Sequence, residues 1–144
     1  MVIDTNVVVS SDLSPRGTAA QVLNCWREEG FDLLVSEPIL EEYERVLRCD
    51  RVRRRHGLSD EEISQIVEDF RELAILVPIV PADALNAIEE DPADNMLLEC
   101  AVVGGAECIV SGDEPVLALA SYSGIQVLSP AAFLLAYSAS GDSV

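Results

Sequence analysis

Apolar positions along the chain fall into two rhythms. Short, nearly continuous apolar runs over residues 1–3, 31–35, 74–77, 107–110 and 125–128 are bounded by Gly, Ser, Asp or Pro and predict buried strands. The stretches between them repeat apolar residues every three or four positions and predict helices packed by one face. The opening run, Met1-Val2-Ile3-Asp4-Thr5-Asn6-Val7, predicts a first strand that breaks into an acid, a hydroxyl and an amide. That is the pattern of a buried parallel strand delivering polar groups to a cleft. A plain strand-to-loop turn accounts for Asp4-Thr5-Asn6 equally well, because Asp and Asn bond their own backbone.

After a loop over residues 13–17, Thr18 can cap a helix to residue 29 that buries Val22, Cys25 and Trp26, with Gly30 as its stop. Ser36 caps a helix over about residues 37–48, in which Ile39, Leu40, Tyr43, Val46 and Leu47 form one stripe. At about 100° per residue, Glu41 lies opposite that stripe while Glu42 and Glu44 flank it, so two candidates remain for an acid facing a cleft. Ser59-Asp60-Glu61-Glu62 matches a capping box, followed by Ile63, Ile66, Val67, Phe70 and Leu73 at helical spacing. The strand over 74–77 is short or at an edge, since Pro78 and Pro81 cannot donate to a ladder.

Asp91-Pro92-Ala93-Asp94-Asn95 opens a further helix with Asp91 as cap and Asp94 in its first turn. Its continuation is apolar almost all round, which predicts burial. Ser111-Gly112-Asp113 then repeats the opening pattern of strand followed by acid. A short helix over 116–120, a last strand and a helix from Pro130 to Tyr137 complete a single domain over residues 1–137, with 138–144 expected to fray. Alternating strands and helices predict an α/β fold, a three-layer α/β/α sandwich around a central, mainly parallel sheet.

Charge sharpens this picture. Nine basic residues against 26 acidic ones give 9 − 26 = −17, which argues against a broad electrostatic hold on nucleic acid or an anionic membrane. All nine cations are arginine, so chemistry that needs a lysine is excluded. Six of the nine fall between Arg45 and Arg55, and Arg51, Arg53, Arg54 and Arg55 make the densest part. That ridge suits phosphate, an acidic partner, or plain solvation with surface ion pairs. Four scattered cysteines and the single His56 carry no zinc or disulfide spacing, and predict reduced, mostly buried thiols and a surface histidine. Without an 18-residue apolar stretch or a basic leader, the expected location is the cytoplasm, away from membranes.

Two strand-end acids, Asp4 and Asp113, with helix-borne Glu42 and Asp94, can meet at the carboxyl edge of such a sheet. Gathered carboxylates repel unless they protonate, separate or hold a cation, and oxygen ligands select Mg²⁺ or Mn²⁺. One or two such ions suit phosphodiester hydrolysis.

In order, the segments Val2-Ile3-Asp4-Thr5-Asn6-Val7, SEPILEEYERVL (36–47), DPADNMLLECA (91–101) and IVSGD (109–113) resemble those of PIN-domain nucleases, and within them VapC-like toxin endoribonucleases of toxin–antitoxin systems. The resemblance covers roughly residues 1–130. It implies a metal-dependent endoribonuclease with Asp4, Glu42, Asp94 and Asp113 as metal ligands, and it selects Glu42 over Glu44. It also implies supporting roles for Asn6, Ser111 and Asp91, an RNA substrate and a cognate antitoxin. A homodimer is a candidate assembly. One departure stands out: many relatives carry a second acid two positions after the fourth aspartate, where this chain has Pro115, with Glu114 as the neighbouring alternative.

Two rival functions differ in what they require. A haloacid-dehalogenase-like phosphatase also begins with a strand-end Asp, but it needs a second Asp where Asn6 stands and a lysine that this chain lacks. A non-catalytic PIN-like module would keep the carboxylates and act through the arginine ridge or an apolar surface; metal-dependent cleavage of RNA separates it from the enzyme.

Overall fold

The computed structural model describes residues 1–28, 30–79 and 92–141. Four strands, β1 (Val2–Ile3), β4 (Cys108–Val110), β6 (Ile125–Leu128) and β5 (Ser121–Tyr122), form a sheet in the order β1-β4-β6-β5. β1, β4 and β6 run parallel and only β5 is antiparallel. A second parallel pair joins β2 (Leu34–Val35) and β3 (Ile75–Leu76). The Leu34 N–H donates to the Met1 carbonyl at 2.7 Å, which sets this pair beside β1. The strand sequence across the molecule is thus β3-β2-β1-β4-β6-β5, and the helices make it the three-layer α/β sandwich that the alternating pattern predicts.

The chain leaves β1 toward β2 on one side and reaches β4 on the other, so β1 and β4 flank the point where the strand order reverses. Loops diverge there, and a crevice opens at the carboxyl ends of the strands. The register fixes what enters it. Ile3 lies opposite Val110, which places the next residues, Asp4 and Ser111, side by side at one edge.

Several helices follow their sequence signals closely. In α3 (Glu37–Leu47) the Ser36 hydroxyl accepts from the Ile39 N–H, and in α5 (Asp60–Leu73) both halves of the Ser59–Glu62 capping box are formed. α2 (Thr18–Arg27), α3 and α5 are locked by rings: Trp26 stacks on Phe70 at 5.1 Å and 3°, and Tyr43 meets the other side of the cluster at 5.1 Å and 55°. Such pairs add to the gain from burying the rings themselves. α6 (Pro92–Gly104) packs on β1, β2 and β4, which matches its all-round apolar sequence.

Residues 5–13 depart from the sequence expectation. They form a helix, α1 (Thr5–Leu13), that starts one residue after Asp4, instead of prolonging the strand and entering a loop. Val7, Val8 and Val9 favour a strand by their β-branching, yet all three are buried and α1 packs between α2 and α3. Packing overrides the local preference.

Residues 50–56 form α4 (Asp50–His56), ended by Gly57 at φ +68°, a left-handed turn that glycine adopts without strain. After the short helix α7 (Glu114–Leu117), β5 and β6, α8 (Pro130–Gly141) runs past the expected end at Tyr137. Among the described residues no helix is long and apolar enough to cross a membrane.

Candidate active site

Asp4 stands at the start of α1 and Asp113 at the start of α7, each in the N-cap position, yet neither carboxylate caps its helix. The buried Asp4 Oδ2 instead accepts the Ser111 hydroxyl at 2.6 Å, a bond between residues 107 apart in sequence. Ser111 Oγ in turn accepts the Asp113 N–H at 3.0 Å, so one fully buried hydroxyl ties the two strand ends together. A charge-assisted bond of this length is strong and orients the carboxylate.

Asn6 completes the bracing. Its amide nitrogen stands 3.5 Å from Asp4 Oδ2, and its Oδ1 accepts the Gly112 N–H at 3.1 Å. A turn residue satisfied by its own backbone would make none of the contacts across the sheet. The start of α1 adds a favourable field for negative charge at Asp4.

α3 brings the third acid. Asp4, Glu42 and Asp113 line one cleft of about 390 Å³ together with Thr5, Asn6 and Arg55. Glu44 faces elsewhere and pairs with Arg48 at 3.0 Å; Glu114 is exposed on α7 and does not line the cleft. Glu42 is itself held by Arg45 through contacts of 2.7 and 2.8 Å. Asp94 falls in the first turn of α6, but its side chain, like Asp91 as a whole, lies outside the described residues.

The donor set fits a hard divalent cation, being composed of carboxylate oxygens with one buried, braced member. Among the described residues no three acidic, histidine or cysteine groups stand close enough to enclose an ion.

The arginine ridge is divided. Arg45 pairs with Glu42, Arg48 with Glu44 and Asp60, and Arg53 with Asp60. Arg51, Arg54 and Arg55 make no ion pair among the described residues.

Other groups serve the scaffold. His56 is half-buried, not a free surface group: the Leu58 N–H donates to its Nδ1, which leaves Nε2 to donate to the Leu47 carbonyl. Burial pushes the Cys100 thiol up to about 12 and Cys108 up to about 11, which leaves both protonated at neutral pH. Cys49 is exposed, against the expectation of mostly buried thiols.

Tyr43 is the residue that sequence pattern undervalues. Counted as one apolar position of a stripe, it is completely buried, and its hydroxyl donates to the Ile3 carbonyl, pinning α3 to β1 beside Asp4. Burial, and then the charge of Asp4, hold its phenol well above the ordinary value, so it stays a donor. The available signal was a hydroxyl inside an otherwise apolar face, which demands a partner. Tyr43→Phe should cost roughly 1 to 3 kcal/mol in a denaturant titration. Unchanged stability would mean that the bond is exchanged for another at no cost.

The family model described as the PIN domain matches residues 1–114, a span that takes in β1, α3, the start of α6 and β4 with Ser111 and Asp113. Comparison with curated proteins finds no significant match. With that match over most of its length, the chain belongs to the PIN-domain family, a nuclease-type fold.

Proposed function

We propose that the chain is a divalent-metal-dependent endoribonuclease and the toxin of a toxin–antitoxin pair. The observation that carries the nuclease reading is the Asp4–Ser111–Asp113 bridge, in which one buried hydroxyl bonds the Asp4 carboxylate and the Asp113 backbone N–H and so fixes two strand ends whose acids line one cleft. A bound Mg²⁺ or Mn²⁺ would lower the pKa of an attacking water and offset charge on the phosphate. Asp4, Glu42, Asp94 and Asp113 are the residues to hold it. Ser111 and Asn6 keep Asp4 oriented, while Tyr43 sets the distance of α3 from β1. Arg51, Arg53, Arg54 and Arg55 supply local phosphate contacts on an otherwise acidic surface, with Arg53 also held by Asp60.

The toxin half rests on the resemblance of the four segments to VapC-like chains. Induced expression in a bacterial host tests both halves together. Growth arrest with RNA degradation is expected from the native chain and from Glu44→Gln, and its loss from Glu42→Gln, since only Glu42 lines the cleft. Arrest that survives Glu42→Gln removes this acid from the site; absence of arrest while the purified protein still cleaves RNA removes the toxin role alone.

A further inference from the structure

Of the three arginines of the ridge that make no ion pair among the described residues, Arg55 alone lines the cleft, beside Asp4, Glu42 and Asp113. Its side chain is exposed. It occupies the last turn of α4, where the helix field favours a cation, and the next residue, His56, is anchored on both sides by Leu47 and Leu58. Gly57 then turns the chain sharply away.

A guanidinium at the mouth of a carboxylate cleft, in a chain of net charge −17, would gain by pairing with an acid, yet it makes no such pair among the described residues. Its five donors stay available in the planar fork that suits phosphate oxygens. Arg51 lies one turn back along the same side of α4, with Arg54 adjacent, and both are exposed and outside the cleft lining.

We infer that Arg55 is a catalytic residue, contacting the non-bridging oxygens of the phosphodiester being hydrolysed, whereas Arg51 and Arg54 hold only flanking phosphates. This rests on the nuclease reading above. In the hydrolysis, the water oxygen bonds to phosphorus and gives up a proton. The ester oxygen leaves with its bonding pair and takes up a proton. Arg55 transfers none; it offsets negative charge that grows on the phosphate during the exchange.

The test uses the purified full chain, Mn²⁺ and an end-labelled single-stranded RNA oligonucleotide, with Asp4→Asn run alongside. Arg55→Gln should lower kcat by about 10²- to 10³-fold while KM moves less than about threefold. Arg51→Gln and Arg54→Gln should raise KM and flatten its salt dependence, with kcat within about twofold of native. Arg55→Lys should recover only part of the loss, because an ammonium supplies charge without the fork.

The melting temperature of Arg55→Gln should match the native one, which separates lost chemistry from lost folding. A native kcat in Arg55→Gln, or a change in KM alone like that of Arg51→Gln, overturns the assignment. If the native chain cleaves and Arg55→Gln cleaves as fast, only the Arg55 role falls. If the native chain, like Asp4→Asn, does not cleave, the nuclease reading falls and takes this role with it.

Discussion

Asp4→Asn is expected to reduce Mn²⁺-dependent RNA cleavage by roughly 10³-fold or more while leaving the circular dichroism spectrum unchanged. The substitution is nearly isosteric, and the amide oxygen can still accept the Ser111 hydroxyl that Asp4 Oδ2 accepts at 2.6 Å. What disappears is the negative charge at the most deeply braced point of the cleft. The effect should therefore fall on the chemistry and the cation while the scaffold is kept. Full activity in the variant would place the reaction elsewhere.

The second large effect is thermal. A cation that binds only the folded chain stabilises it by about 2.7 kcal/mol at a concentration about 100 times its dissociation constant. For a domain of this size that corresponds to a rise of roughly 5 to 10 °C in melting temperature. Millimolar Mn²⁺ should produce such a rise in the native chain, and Asp4→Asn and Asp113→Asn should gain much less. Asp94→Asn is read the same way: if it gains as much from Mn²⁺ as the native chain, Asp94 is a residue of the helix start and not a ligand. Equal gains in all the variants would move any bound cation to the acidic surface.

Much of the architecture is legible because local signals and burial agree. The capping box at Ser59 and the Ser36 cap both form, since they satisfy orphan N–H groups whatever the surroundings. The recurrence of strand followed by acid at Asp4 and Asp113 marks two neighbouring strand ends, because parallel strands in register deliver their next residues to the same edge. α1 is the counterexample. Its run of three valines speaks for a strand, and only the packing of α2 and α3 against it makes a helix the better burial.

The site shows the same division. A helical wheel leaves Glu42 and Glu44 equivalent, because it ranks directions about one helix and knows nothing of what stands opposite. The crevice beside β1 distinguishes them, with Glu42 in the cleft lining and Glu44 turned to Arg48. The arginine span looks uniform in sequence, yet Asp60 sits twelve residues from Arg48 and seven from Arg53 and engages both. Which arginines stay unpaired depends on where Asp60, at the start of α5, comes to lie as that helix packs on α3, a tertiary fact with no local signature.

The central claim, metal-dependent hydrolysis of RNA by this chain, is tested most directly by following one labelled RNA with one preparation of native protein through three conditions. These are Mn²⁺ present, the metal withdrawn with excess EDTA, and Mn²⁺ restored. Cleavage should appear, stop and return. Cleavage that continues in EDTA, or RNA that stays intact in Mn²⁺, would contradict it.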